Sequence, residues 1–546
     1  MTGQRRTNVV APAPAGDRGQ RGTLYSANFF REGAAIRFRF DVLLALVTIP
    51  LLSAATDSRP VVAVTGGQVR GTLLASGAVF QGIPYARPPV GDLRWRGPAP
   101  VEPWTTVRDA ATAGPPCAQN PYFVPDAKET SREDCLYLNV WTPAWPAKSI
   151  HKPVMVWIPG GGNFAGSASS TARSGEKLSR HGVVVVSLNY RLGLFGFFSH
   201  PELTKESPHH ASGNQGILDQ IAALHWVHDN IVKFGGDPEN VTIFGDSAGS
   251  LDVSALMTSP LSRGLFRRAI GQSGAVVLAG EPLSLPDAEK RGLSLAATWN
   301  AGADTSLPAL RALPANAILA KEPDFLKKPQ PNLGLVIDGY VFPQRPADVF
   351  AAGHEHRVDM LNGNVAHEWV PGVDPPADLK QAITDAYPAD TAKRALSLYT
   401  ASGTDALYGT PGEQWVEDIG FRCPTEAQAV WHAAAGNRVF QYQFDRIPPN
   451  AKQRHNLHAI DVNYVFGLGS GDFEPVDYAI SDALQQYWTN FAKTGDPNGT
   501  AKLPKWPQFG PASRSYIEFT DAGPVVRKDL RRQFCELWSE SRKQTR

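Results

Sequence analysis

The sequence predicts an α/β fold: a large, mostly parallel central sheet flanked by helices, with long loop and helical insertions. Three observations predict it. Continuous apolar runs of strand length occur at Val154 to Ile158, Val183 to Ser187 and Val241 to Phe244. Unbroken runs of this kind mark strands buried on both faces. Between the second and third runs, Ile217, Ile221, Leu224 and Val227 recur at helical spacing, with Asp219, Gln220 and Asp229 opposite. Strands alternating with helices give a parallel sheet covered on both sides. The first and third runs end abruptly in glycine turns, Pro159-Gly160-Gly161-Gly162 and Gly245-Asp246-Ser247-Ala248-Gly249. Such sheets bind ligands at the carboxyl ends of their strands.

The remaining elements follow in order. The stretch from Gly66 to Trp104 is rich in turn residues and predicts short antiparallel strands, then an irregular loop. Leu136 to Trp141 alternates as a strand. Beyond Ser273 the pattern loosens, with helical patches at Leu293 to Trp299 and Leu310 to Ala320. Late strands are predicted at Val358 to Leu361 and Val439 to Phe444, a loop from Asn450 to Asp461, and an amphipathic helix at Leu484 to Ala492.

Composition bounds the function. Of 546 residues 42% are apolar, enough for a sizeable core. No repeat or low-complexity linker divides residues 60–540, and residues 56–546 read as a single domain with insertions. The 53 Lys and Arg against 52 Asp and Glu give a formal net charge of +1, which argues against a nucleic-acid groove or a polybasic membrane patch. Residues 1–55 read as a disordered N-terminus plus a signal segment. Arg, Gly, Ala and Pro dominate residues 1–35; a basic flank from Ile36 to Asp41, an apolar run from Val42 to Leu52 and small residues at Ser53-Ala54-Ala55 follow. The run is short for a bilayer span, so the expectation is a secreted or periplasmic protein with no stable membrane span. Four cysteines, Cys117, Cys135, Cys423 and Cys535, behind an export signal favour two disulfides, with connectivity left open by spacing.

The chemistry centres on Ser247. In a chain with 50 glycines a bare G-x-S-x-G arises by chance, so its neighbours decide its meaning. Here it follows a buried strand, as a sharp strand-to-helix turn requires. A serine hydroxyl is a weak nucleophile and needs a base, a group that orients the base, and donors for an oxyanion. The chain offers a glycine run, then Ser247, Glu368 and His458, in the order that hydrolases on such a sheet use.

Many phrases carry a resemblance. They include F-Q-G-I-P-Y-A at Phe80, E-D-C-L-Y-L-N-V at Glu133, W-I-P-G-G-G at Trp157 and N-Y-R-L-G at Asn189. G-N-Q-G-I-L-D-Q at Gly213, F-G-G-D-P-E-N-V-T-I-F-G-D-S-A-G-S from Phe234, F-R-R-A-I-G-Q-S-G at Phe266, Y-V-F-G at Tyr464 and N-F-A-K-T-G-D-P-N from Asn490 continue it. From about Gly66 to Trp538 the chain resembles the type-B carboxylesterase/lipase family, the cholinesterase-like α/β-hydrolases. The resemblance implies an α/β-hydrolase fold and a serine hydrolase that cleaves small-molecule carboxylic esters through an acyl-enzyme, without a cofactor, metal or nucleic acid. It implies Ser247 as nucleophile, His458 as base and Glu368 as acid, with the Gly161, Gly162 and Ala248 amides as oxyanion donors. Ser273 matches a serine behind the acid. Cys117 is implied to pair with Cys135, and Cys423 with Cys535. No oligomeric state follows. The alternatives are the same machinery acting on amides, thioesters or lactones, or a non-catalytic binding protein; the filled catalytic positions favour the enzyme.

The chain also departs from the pattern. Asp246 stands where Glu is usual, on a turn expected to point it away from the histidine; Pro159 precedes the glycines; Asn163 occupies an often aromatic place, and Asp461 one often Glu. Asp252, where a small residue is usual, reads equally as a buried, paired carboxylate or as an exposed helix residue. The Cys117 to Cys135 loop holds Tyr122 and Phe123 but no Trp, which disfavours choline as a leaving group. His455 and His367 are the rival bases, and the sequons at Asn240 and Asn498 read as coincidence. N-terminal sequencing of exported protein is expected to find a new terminus near Thr56; an exported chain that begins upstream of Val42 overturns the signal segment.

Overall fold

Strand register decides where the candidate residues meet. The computed structural model describes residues 58–120, 130–147, 151–170, 173–276, 281–299, 304–322, 334–368, 374–448, 458–468, 473–499 and 502–544. The expected signal segment, Tyr122, Phe123 and His455 lie outside the described residues. Eleven strands form the central sheet: β1 (Thr72–Leu74), β2 (Gly77–Pro84), β3 (Tyr137–Thr142), β4 (Lys152–Ile158), β5 (Val184–Leu188), β6 (Gly236–Asp246), β7 (Arg268–Gln272), β8 (Asp359–Val365), β9 (Val439–Phe444), β10 (Ser515–Thr520) and β11 (Gly523–Lys528). Their order across the sheet is β11-β10-β9-β8-β7-β6-β4-β5-β3-β2-β1. The inner strands from β5 to β10 run parallel, with antiparallel pairs at both edges.

Six helices bear on the site: α1 (Gln215–Asn230), α2 (Ala248–Leu256), α3 (Cys423–Ala434), α4 (Ile460–Val465), α5 (Pro475–Thr494) and α6 (Arg532–Gln544). Alternate side chains of a strand point to opposite faces, and in β4 both faces are buried. Val154, Val156 and Ile158 join a core that includes Ile217, Ile221 and Leu224 of α1. Met155 and Trp157 join the opposite core with Leu484, Trp488 and Phe491 of α5. Burial of each such large side chain contributes about 1.5–3 kcal/mol, which is why β4 lacks a polar alternation.

The predicted helix from Leu310 to Ala320 is instead two short ones, Leu307–Ala312 and Ala315–Leu319. Pro314 separates them and Leu313 before it is extended, ψ 137°, as a residue preceding proline prefers. The expected loop ending at Asp461 is shorter, because Asp461 lies in α4. Between β8 and β9 stand helices Leu379–Ala386, Ala389–Ser402 and Pro411–Glu417, then a π-helical turn over Asp418–Arg422 that runs into α3. No helix among the described residues is long and apolar enough to cross a membrane.

Two disulfides close the chain, Cys117–Cys135 and Cys423–Cys535, all four cysteines being buried. They fit an oxidising, extracellular or lumenal compartment. The second joins the start of α3 to α6 across 112 residues, against 18 for the first. Loop-closure entropy then gives about 4.7 kcal/mol for the long link and about 3 for the short one. A Cys423→Ser, Cys535→Ser variant is expected to lose more denaturant resistance than Cys117→Ser, Cys135→Ser, as read from urea unfolding midpoints. The reverse order would show that the short link works through the native state instead.

Candidate active site

The end of β6 is held in a conformation that few side chains adopt. Ser247 has φ 53° and ψ −122°, a region that costs a non-glycine residue about 1–3 kcal/mol. It persists because both sides are clamped. Its N–H donates to Gln272 O of β7 at 2.8 Å, and α2 begins at the next residue. The helix crosses so close to β4 that a Cβ on Gly249 would lie 2.2 Å from Ile158 O, and one on Gly245 2.6 Å from Gly249 itself. The two glycines of G-x-S-x-G are thus required by helix–strand contact. Ser247 stays partly exposed. The Ala248 N–H beside it is the first amide of α2, with no intrahelical acceptor and at the positive end of the helix.

The glycine turn after β4 is pinned at both ends. Gly160 N–H donates to Asp246 Oδ1 at 3.0 Å. Asn163, at φ 62°, accepts Gly193 N–H on its carbonyl at 2.6 Å. Between them Gly161 and Gly162 take φ 120° and 65°, values that glycine alone adopts at little cost. Gln119, two residues past Cys117, braces the far side by accepting Gly166 N–H at 3.0 Å.

Glu368 and His458 meet. His458 Nδ1 lies 2.6 Å from Glu368 Oε2, and the carboxylate is fully buried. Its other oxygen accepts Asn364 Nδ2 at 2.9 Å and Val365 N–H at 3.0 Å. Phe421, from the π-helical turn, packs on the imidazole with ring centroids 5.0 Å apart. His458 Nε2 is buried and has no hydrogen-bond partner among the described residues. Burial pulls the imidazole pKa down, yet the hydrogen bond and charge of Glu368, then the charges of Asp246 and Asp461, outweigh it and hold His458 above 6.5.

Asp246 makes its hydrogen bond away from the histidine, on Gly160 N–H, and its charge still contributes at His458. Asp461 Oδ2 accepts Tyr442 OH at 2.6 Å and Gln272 Nε2 at 2.9 Å, and burial pushes its carboxyl up to about 6. Arg173 is the cation behind both acids. His367 is turned away onto Glu417, whose other oxygen takes Arg422; that arginine also donates to Ala366 O at 2.8 Å. The charged π-helical turn thus braces the loop that carries Glu368. Ser273 is buried, with its N–H on Gly363 O at 2.8 Å and its hydroxyl unpartnered among the described residues. Asp252 is fully buried and bonded to Asn163 and Gln220, so of its two readings the exposed one is excluded. Its hydrogen-bond partners are two amides, the Tyr190 phenol stands beside it, and no cation pairs with it among the described residues.

Sequence reasoning missed Arg173, Tyr190, Gln220, Gln272, Asn364 and Phe421. Their roles come from partners distant in the chain, and only Asn364, four residues before Glu368, carried a local signal. Among the described residues no group of three or more His, Cys, Asp or Glu is arranged to hold a metal. A cleft of about 620 Å³ bounded by Trp95, Leu203, His225 and Tyr340 has none of the candidate residues on its wall.

The chain is similar to known proteins over most of its length. The Carboxylesterase family model matches residues 58–538. Liver carboxylesterase 1F of Rattus norvegicus is 35% identical over 86% of this chain and 92% of its own. Fumonisin B1 esterase of Sphingopyxis macrogoltabida is 34% identical over 88% of this chain and 89% of its own. A medium-chain fatty acyl-CoA hydrolase precursor of Anas platyrhynchos is 34% identical over 91% and 95%. With nearly the whole described chain matched and a mostly parallel sheet beneath it, the chain belongs to the carboxylesterase family of α/β-hydrolases and is a carboxylic ester hydrolase.

Proposed function

We propose that the enzyme cleaves small-molecule carboxylic esters through an acyl-enzyme on Ser247, with His458 as base and Glu368 as the acid that orients it. The observation that carries this reading is the 2.6 Å bond from His458 Nδ1 to Glu368 Oε2, which leaves a buried Nε2 with no partner among the described residues. With its proton on Nδ1, the ring offers Nε2 as an acceptor. Ser247 Oγ attacks the ester carbonyl while its proton passes to Nε2. The Gly161, Gly162 and Ala248 N–H groups take the oxyanion. Collapse breaks the ester C–O bond, and the alcohol leaves with the proton from Nε2. Water then repeats the sequence on the acyl-serine and releases the acid. The imidazolium that forms twice per turnover faces Glu368, Asp246 and Asp461, three carboxylates that favour it. In this reading Ser273 supports the site by fastening β7 to β8 behind the acid.

A relative named as a fatty acyl-CoA hydrolase favours a second reading, thioester cleavage by the same steps with a thiol as leaving group. We place the protein outside the cytoplasm, a reading that the two disulfides support.

Ser247→Ala is expected to lower kcat on the order of 10⁶-fold with the fold intact; a variant keeping a tenth of the turnover would sink the nucleophile. Glu368→Gln is expected to lower kcat by about 10⁴ with KM little changed, because the wrong tautomer is favoured. Asp461→Asn, whose carboxyl is committed to Tyr442 and Gln272, should lose far less.

The pH profile gives an independent check. His458 acts as a base only when neutral, so kcat/KM is present above its raised pKa and lost as pH falls through it. The acid limb is therefore expected above 6.5. Removing the Glu368 charge leaves burial dominant, so any residual activity of Glu368→Gln should have its acid limb at lower pH. An unmoved limb would assign it to another group.

A further inference from the structure

Asp252 sits one helical turn below Ala248, wholly buried in α2. Its Oδ1 accepts Asn163 Nδ2 at 3.1 Å, its Oδ2 accepts Gln220 Nε2 of α1 at 2.6 Å, and the Tyr190 phenol stands beside it. Charged groups on the surrounding elements are engaged elsewhere. Asp219, next to Gln220 on α1, is locked onto Arg191, the neighbour of Tyr190. Asp246, at the end of β6, serves Gly160 and faces Arg173. No other residue of α2 is titratable, and the glycine turn presents Asn163 alone.

Tyr190 OH lies 2.9 Å from Pro159 O and 2.8 Å from Asn163 Oδ1, and the Asp252 carboxyl stands close enough to compete for the same proton. A carbonyl and an amide oxygen only accept, and a hydroxyl carries one proton. If Asp252 is a carboxylate, three acceptors compete for that proton. A second proton, placed on Asp252 and aimed at the Tyr190 oxygen, lets the hydroxyl accept from one side and donate to the turn on the other. Burial acts in the same direction, raising the Asp252 carboxyl to about 7 and holding the Tyr190 phenol well above its ordinary range.

We propose that Asp252, bearing this proton, is a positioning residue for ester hydrolysis: through Asn163 and Tyr190 it holds the Pro159–Asn163 turn where the Gly161 and Gly162 amides meet the oxyanion. The inference rests on the reading of those amides as oxyanion donors. It explains the left-handed Asn163, whose side chain reaches Asp252 and Tyr190 while its carbonyl holds Gly193. It also gives a direction with pH. Loss of the proton removes the donor to Tyr190 and places a negative charge beneath the site of the developing oxyanion. The protonated form is the active one, and kcat falls as pH rises through the Asp252 ionisation.

The test uses the full chain, an aryl ester substrate and three variants, Asp252→Ala, Asp252→Asn and Ser247→Ala, with kcat, KM and thermal midpoint followed across pH. Asp252→Ala is expected to lower kcat on the order of 10²-fold with KM little changed, the effect of a misplaced catalytic group. Asp252→Asn keeps the shape, an acceptor and a donor without a titrating proton. It should recover most of kcat and lack the alkaline decline of the wild type. An alkaline limb unchanged in Asp252→Asn overturns the inference, and does so even if Asp252→Ala fails to fold. Wild-type kcat in a folded Asp252→Ala, with only the thermal midpoint lowered, overturns it too, since Asp252 would then serve stability alone. Turnover surviving in Ser247→Ala would instead bring down the underlying reading of the site, which keeps the two failures distinguishable.

Discussion

The site depends on one constraint, the shared register of β6, β7 and β8. Asp246, Gln272 and Gly363 lie level across the three strands, and the ladder runs one step further, through Ser247 N–H to Gln272 O and Ser273 N–H to Gly363 O. Three chains therefore leave the sheet along one line. Two strand spacings separate β6 from β8, roughly 10 Å, too far for a serine to meet a carboxylate directly. An imidazole bonded at both nitrogens can bridge that gap with the reach of Glu368 added. A slip of one residue in β8 would turn Asn364 and the loop behind it to the other face of the sheet. Backbone pairing, fixed by cores on both faces, thus sets the distance at which Glu368 and Ser247 stand.

Charge is distributed unequally around that line. Asp219 has Arg191, and the charges of Asp246 and Asp461 act on Arg173; Glu417 and Asp418 are bound by Arg422, with Arg531 on Asp418 as well. A buried carboxylate that lacks a cation is expensive to ionise, and Asp252 is in that position. The acids near His458 favour its cationic form, whereas the acid under the glycine turn has no cation paired with it among the described residues, so neutrality is favoured. The two surroundings suit the opposite charges that arise in acyl transfer, positive on the imidazole and negative on the carbonyl oxygen.

Much of this was legible in the sequence where a single physical cause operated. β4, β5 and β6 announce themselves because both faces are buried, and the glycines around Ser247 because backbone contact leaves no room for a Cβ. β7 was not readable as a strand, since Arg268-Ala269-Ile270-Gly271-Gln272 interrupts its apolar character at both ends. Those polar ends are buried because Arg268 meets Asp359 and Gln272 meets Asp461, partners 91 and 189 residues away. The β10–β11 hairpin and the helices after β8 were missed for a related reason: they pack on elements far along the chain and carry no glycine motif. Asp252 was left with two readings because α2 is buried on every side. An all-buried helix has no exposed face against which helical periodicity can be judged.

The same helix explains why a carboxyl at position 252 must be managed. The N-terminal end of α2 is a source of positive potential, and within the first turns it favours any nearby negative charge. In the proposed reaction that potential serves the oxyanion through the Ala248 amide. An ionised Asp252, one turn further in, would draw on the same field and repel the second negative charge. Protonation removes the competition and leaves the carboxyl able to bond. The surroundings are consistent with that choice, since Asn163 and Gln220 supply hydrogen bonds, and Tyr190 a neighbouring phenol, without compensating charge. A lysine or arginine in place of Gln220 would stabilise the carboxylate and fix a permanent ion pair beneath the glycine turn. With a neutral amide there, the burial that defines the core also keeps the field of α2 available for the substrate.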